Sequence, residues 1–334
     1  MRESENNLVA EIEKNGFAHL ASVLDENSIV NLSQECKKIL YSEFIQNEDA
    51  YSQFPDTQKF YRNNITKKTA YNTLNRNVIG VSPTVDSIIE KVLTNKDVKE
   101  TLVAFCGQDY KILTCAIRQA SSLSTFVGLH QDAPYQFSIA VFLNDISERS
   151  ATTVFYNETH KIPFKFDSKF EAFDTKIFNK KLTPAIGKKG DIVFFMNKVL
   201  HGMKTGENNS DDSAVILMCF HPCGYPYPPW RLPIQSSYSE KFISSLGPEL
   251  SRLFRYDESD YSVNNGEIIL KLKSQNEHKI IDQYVDLKVK SLSDIILVGY
   301  WYVTYLFFFT LRVIRKLFRI NKKWLILFKN LKRT

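Results

Sequence analysis

Between Tyr110 and Phe220 the chain alternates short apolar runs with polar turns, and this pattern narrows the possible folds more than any other feature. In "YQFSIAVFLND", Phe137, Ile139, Val141 and Leu143 fall on one face of an extended strand. Gln136, Ser138, Ala140 and Phe142 fall on the other. "YKILTCAIRQA", "SATTVFY", "KKGDIVFFM" and "SAVILMCF" read as further strands. Several short strands separated by turns predict an antiparallel sandwich or barrel. With 334 residues, 43% of them apolar, the chain can fill a sizeable core.

Helical patterns flank the strands. "NNLVAEIEKNGFAHLASVLDENSIVNLSQECKKILYSEF" reads as helix, short strand, helix, with Asp25 as N-cap and Ile29, Leu32, Cys36, Ile39 and Leu40 at helical spacing. A short helix is expected over 85–105, another helical stretch over 238–255, and a mixed region over 256–294. Residues 45–80 carry few clear signals. The polar, aromatic insertion over 161–183 suits either a flap over a site mouth or a solvated hairpin. Five cysteines, at 36, 106, 115, 219 and 223, include no CxxC pair. Cys219, His221 and Cys223 fall short of the four paired ligands of a closed zinc site, so reduced thiols are expected.

Charge is informative once divided. The chain has 43 Lys and Arg against 37 Asp and Glu. Nine of the cations lie between Arg312 and the end, where there is no acid, so the basic surplus belongs to the tail. No basic body is available for gripping nucleic acid. Residues 295–311, "IILVGYWYVTYLFFFTL", carry no charge and are rich in aromatics. "RVIRKLFRINKKWLILFKNLKRT" then sets apolar residues at helical spacing with cations between them, the pattern of a basic amphipathic helix. A spanning tail would leave its basic end in the cytoplasm and the body outside, yet "MRESENNLVAEIEKNG" has no apolar signal region. An in-plane anchor on the inner leaflet, holding a cytoplasmic body peripherally at the membrane, avoids that conflict. A helix capping the core is the other possibility.

In "GLHQDAPYQF", His130 and Asp132 are two apart, and on an extended strand such residues share a face. "GKKGDIVFFMNKVLHGMKTGENNS" places His201 a few residues beyond an apolar strand. Two histidines and a carboxylate on one face, with the opposite positions open, make the ligand set of a mononuclear Fe(II) oxygenase.

These pieces occur in a particular order. "HQD", a variable insertion and "GDIVFF…LHG", preceded by "EIEKNGFAHLASVLDENSIVNL" and joined by "SATTVFYNETHK", resemble the phytanoyl-CoA dioxygenase family of 2-oxoglutarate-dependent oxygenases over roughly residues 8–230. The resemblance implies an α+β, mainly β fold. Its core would be a double-stranded β-helix (a cupin-like jelly roll) with flanking N-terminal helices, followed here by the C-terminal amphipathic helical tail. The layout would be an oxygenase domain over 1–234, a mixed helical extension over 235–294 and a membrane-associating tail over 295–334. It implies Fe(II) held by His130, Asp132 and His201, with 2-oxoglutarate and O2 as cosubstrates. Because halogenases of this kind lack the carboxylate, Asp132 implies hydroxylation or desaturation. His160 matches a position that is not a ligand, and His221 is a candidate mouth residue. His19 and His278 have no partner pattern, and for all four an ordinary surface or core histidine is the favoured expectation.

The family places an arginine about a dozen residues after the distal histidine to hold the far carboxylate of 2-oxoglutarate. Here Ser213 stands there, after Asp211 and Asp212, with no Lys or Arg between Lys204 and Arg231. Arg118, in an otherwise apolar strand, is the first candidate for that task, Lys204 the second, and Ser213 with neighbouring hydroxyls the third. A catalytically inactive oxygenase fold acting as a binding or scaffold protein at the membrane is the alternative. The expected substrate is a small molecule or a lipid-linked one, such as a glycan. Tyr225, Tyr227 and Trp230 in "GYPYPPW" would either line the mouth or form a rigid proline-rich loop.

Overall fold

In the computed structural model the described residues are 3–41, 67–69, 72–162, 182–207, 212–227, 240–255, 261–264, 267–270 and 279–285, with Val303 and Thr310. The chain opens with α1 (Glu3–Asn15), β1 (Phe17–Leu20) and α2 (Glu26–Tyr41). The pair β2 (Lys67–Lys68) and β3 (Leu74–Asn77) leads to α3 (Pro83–Thr94) and α4 (Lys96–Cys106). Next come β4 (Lys111–Ala120), β5 (Val127–His130), β6 (Phe137–Phe142), β7 (Thr153–Tyr156) and β8 (Leu182–Pro184). The series continues with β9 (Ile192–Met196), β10 (Leu200–Met203), β11 (Ser213–His221) and β12 (Pro226–Tyr227). The remaining elements are α5 (Glu240–Ser245), α6 (Pro248–Phe254), β13 (Tyr261–Asn264), β14 (Glu267–Leu270) and α7 (Asp282–Val285).

Two antiparallel sheets face each other across the site. The larger has the order β1-β9-β6-β11-β4-β3-β2, the smaller β5-β10-β7-β8. From β4 to β7 and again from β8 to β11 the chain passes from one sheet to the other at each step, the alternation of a jelly roll, while β7 and β8 pair within the smaller sheet. The alternation read in β6 separates two environments. Phe137, Ile139 and Val141, with Ile117, Ile216 and Met218 from neighbouring strands, are packed under α3 and α4, and Phe137 stacks on Phe105 at 4.7 Å between ring centroids. Ser138 and Ala140 face inward and line a cavity between the sheets. One face of the large sheet therefore builds the core and the other is kept smaller and more polar.

Asp25 caps α2 as expected, accepting the Ser28 N–H at 2.8 Å. The single helix expected over 85–105 is two helices. Asn95 closes α3 through its backbone N–H, and its side chain accepts from Asp97 and Val98 to start α4. The helical stretch over 238–255 is likewise divided, with Pro248 beginning α6 and the Glu90 carboxylate accepting the N–H groups of Glu249 and Leu250 at 2.9 and 2.7 Å. At the other end of α6 the Lys111 ammonium donates to the carbonyls of Arg252 and Arg255. Leu250, Leu253, Ile281 and Tyr284 join the same core as α3 and α4, so these parts of the extension pack on the jelly roll. Of the insertion over 161–183, residues 163–181 lie outside the described set, as do Trp230, His278 and all of the tail except Val303 and Thr310.

Candidate metal centre and its cavity

His130 ends β5, and His201 sits directly opposite it on β10. Their rings lie 4.6 Å apart. Asp132 does not continue the strand. It follows β5 in a loop that is held by its own N–H to the Asn197 carbonyl at 2.9 Å. The carboxylate nevertheless reaches the same point, with Oδ1 at 3.8 Å from His130 Nε2 and Oδ2 at 3.6 Å from His201 Nε2. One ligand atom from each residue falls within 4.8 Å of the others, and this is the one such group among the described residues. The intervening Gln131 is turned away and anchored, donating to the Lys198 carbonyl at 2.7 Å.

Both histidines are oriented for metal binding. Nδ1 of His130 donates to the Gly128 carbonyl at 2.8 Å, and Nδ1 of His201 to the Val199 carbonyl at 2.9 Å. A carbonyl can only accept, so Nδ1 carries a proton in each ring, and Nε2, which faces Asp132, is the nitrogen whose lone pair a metal would take. Two lone pairs and a carboxylate converging on one point are matched by a cation between them, and the donor set suits Fe(II). Burial alone would raise the Asp132 carboxyl. The hydrogen bond from His201 and the charges of His201, His130 and Arg118 outweigh it and bring the pKa down to about 2. Asp132 is therefore ionised near neutral pH, as a metal ligand must be.

The centre opens into a cavity of about 570 Å³, within the range that takes small molecules. Arg118 on β4 lines it and is open to its lumen. Its pKa is lowered by burial, opposed by the Asp132 charge, and a guanidinium stays cationic through such a shift. The register places Arg118 beside Val215 on one neighbouring strand and Asn75 on the other. Ser213 also lines the cavity and donates its hydroxyl to the Ala151 carbonyl. Lys204 does not line it, because its ammonium is held by the Glu148 carbonyl.

His221 and Tyr225, offered as mouth residues, are packed against the fold instead, and the remaining histidines and cysteines make the ordinary structural contacts expected of them. His221 is fully buried, with Nε2 at 3.3 Å from the Tyr225 carbonyl, and burial lowers its pKa to about 4. Tyr225 stacks on Tyr135 at 4.9 Å and donates its hydroxyl to Asp282, so both residues serve the core instead of the cavity. His160 is also buried, held by the Glu13 carbonyl. His19 pairs with Asp191 at 3.0 Å. Cys219 faces the cavity while Cys223 bonds to the Asp109 carbonyl, and no zinc cluster forms from them.

Sequence reasoning missed the polar inner end of the cavity. Ser138 donates to Asn197 Oδ1 at 2.7 Å, and Asn197 Nδ2 donates to Gln136 Oε1 at 3.4 Å. The available signal was the inward-facing alternation at the start of β6, where Gln136 just precedes the strand and Ser138 lies within it among apolar residues.

A search of curated proteins finds no match to this chain. Among solved structures, EctD from S. alaskensis with 2-oxoglutarate and 5-hydroxyectoine aligns at a TM-score of 0.52 and 11% identity, covering 70% of this chain and 85% of EctD. HygX from Streptomyces hygroscopicus, with nickel, 2-oxoglutarate and hygromycin B, aligns at 0.46 and 12%, covering 66% and 88%. The epimerase SnoN from nogalamycin biosynthesis aligns at 0.49 and 14%, covering 68% and 86%. The EctD alignment carries the fold. Residues 12–215, more than half of the sequence, match the family Phytanoyl-CoA dioxygenase (PhyH), and the chain belongs to that family of non-haem Fe(II)- and 2-oxoglutarate-dependent oxygenases.

Proposed function

We propose that the protein hydroxylates a C–H bond of a small molecule, with Fe(II) on His130, Asp132 and His201 and the far carboxylate of 2-oxoglutarate on Arg118. Bound Fe(II) supplies the chemistry that couples oxidation of 2-oxoglutarate by O2, to succinate and carbon dioxide, with oxygenation of the substrate. The observation that carries this reading is Arg118. It is the one cationic side chain besides the two ligand histidines among the described cavity-lining residues, and no described carboxylate pairs with it. Its guanidinium, open to the cavity, is free of a direct carboxylate contact among the described residues and suits a bidentate contact to a carboxylate ligand. Ser213 occupies the family's usual arginine position on β11, and its small side chain leaves room for a residue from β4 to reach the same region. Phe195 packs against the His201 ring at 5.3 Å between ring centroids and lines the cavity beside it.

The test is direct. Protein loaded with iron and given 2-oxoglutarate in air should form succinate slowly without substrate, and His201→Ala should abolish this. Tight iron binding with no succinate and no affinity for 2-oxoglutarate would leave only the scaffold alternative.

The substrate reading extends to membrane-borne molecules, including lipid-linked glycans, because the tail over 295–334 suits attachment to the inner leaflet. Its support is the uncharged aromatic run followed by nine cations without an acid. No helix among the described residues is long and apolar enough to cross a membrane, and Val303 is helical and 66% exposed. Deleting 295–334 should abolish co-sedimentation with anionic phospholipid vesicles. A truncated protein that still sediments with them contradicts the anchor.

A further inference from the structure

At the end of the cavity away from Ser213, Gln136 is 9% exposed and lines the wall beside Ser138, Asn197 and Cys219. Its Oε1 is fixed, accepting from Asn197 Nδ2 at 3.4 Å and from the Cys219 thiol at 3.6 Å. Asn197 is fixed in turn by the Ser138 hydroxyl, and its carbonyl holds the Asp132 N–H. With Oε1 committed, Nε2 must point the other way, and it donates to nothing among the described residues. Nε2 is open to the cavity, so an acceptor arriving there meets a donor already held in place. The register supports a position near the chemistry, since Ser138 pairs with Phe195, which packs on His201.

The charge inventory narrows the ligand. The charged groups among the described lining residues are His130, Asp132, His201 and Arg118. If three hold the metal and the fourth holds 2-oxoglutarate, the described remainder is uncharged. Its polar members near Gln136 are Thr114, Ser138 and Asn197. No lysine or arginine is left there to accept a phosphate, and no carboxylate to accept an amine.

Building on the oxygenase reading above, we infer that the substrate presents a neutral, hydroxyl-bearing group to the inner end of the cavity, where Gln136 Nε2 donates to one of its oxygens. Gln136 is then the substrate-positioning residue. A site built to hydrogen-bond a hydroxyl discriminates strongly against molecules that leave its donor unpaired. A phosphorylated or amino-substituted sugar would bring a charge into a wall with nothing to receive it.

The experiment uses the full chain loaded with Ni(II) and 2-oxoglutarate, which binds without turnover, and calorimetric titration with four probes. Methyl glucoside and N-acetylglucosamine are neutral, glucose 6-phosphate is anionic and glucosamine is cationic. At least one neutral probe should bind about tenfold or more tightly than glucose 6-phosphate. Gln136→Met should weaken that neutral probe about tenfold, the effect of one lost hydrogen bond. Gln136→Glu keeps the acceptor that Asn197 needs and removes the donor. It should weaken the neutral probe similarly and raise affinity for glucosamine, a gain that mere structural damage would not produce. Affinity for 2-oxoglutarate should change less than about twofold in either variant, because Arg118 is untouched. Tighter binding of glucose 6-phosphate, absence of binding by both neutral probes, or unchanged affinity in Gln136→Met overturns the inference. Failure of the wild type to bind 2-oxoglutarate overturns instead the oxygenase reading on which it rests.

Discussion

His130 and His201 show how two backbone carbonyls can decide the chemistry of a ring. Each Nδ1–H is committed to a carbonyl two residues upstream, which leaves Nε2 as the ligand atom. His221 and His160 have the opposite fate. They are wholly buried, and desolvation lowers both pKa values to about 4. The unfolded chain protonates such rings near 6.5, so between pH 6.5 and 4 it binds protons that the folded chain refuses. Their contribution is therefore fully present above about pH 6.5 and lost as pH falls toward 4, on the order of 3 kcal/mol each. In urea unfolding at pH 7 and pH 4.5, wild type should lose stability relative to His221→Gln as the pH drops. Parallel pH profiles for the two would contradict this. At this scale the candidate ligands were legible, because residue type and spacing are written in the chain. Arg118 stood out as a charge in an apolar strand. Lys204 misled, because no sequence pattern shows that its ammonium turns back to Glu148. The exposed Nε2 of Gln136 was equally invisible, since it depends on where Asn197 and Cys219 come to lie.

At the scale of elements, strands were easier to read than helix boundaries. Alternation in the sequence of β6 already separates the residues of the core face from Ser138 and Ala140 of the cavity face. The division between α3 and α4 was missed because Asn95, a good cap at either end of a helix, lies inside an otherwise continuous apolar pattern. The pairing of β5 with β10 sets the metal centre, and it depends on Gly202. A Cβ there would lie 2.4 Å from the Val127 carbonyl oxygen and 3.2 Å from the Gly128 carbonyl, backbone atoms that cannot turn aside. Gly202→Ala should therefore push β5 from β10 and separate His130 from His201. Misplacement by about 1 Å can cost roughly 100-fold in site function. Fe(II) affinity of Gly202→Ala, measured anaerobically by competition with a chelator, should fall by one to two orders of magnitude. Affinity equal to wild type would show that the strands adapt.

Across the whole molecule, the jelly roll brings to one cavity residues that are distant in sequence, from Arg118 on β4 through His130 and Asp132 to His201 and Ser213. The family resemblance foretold the fold and singled out the three residues whose ligand atoms the structure gathers within 4.8 Å of one another. It leaves open what replaces the arginine missing at Ser213, and the register of β4 against β11, which sets Arg118 opposite Val215 two residues from Ser213, supports Arg118 as the candidate. The central claim is that a neighbouring strand now provides this cation. The measurement that tests it most directly is the dissociation constant of 2-oxoglutarate for the anaerobic Fe(II)-loaded protein, compared between wild type and Arg118→Ala. Loss of a charge-assisted bidentate contact, about 2–3 kcal/mol, predicts affinity weaker by about 100-fold with Fe(II) binding retained. Equal affinity in the two proteins would contradict the account.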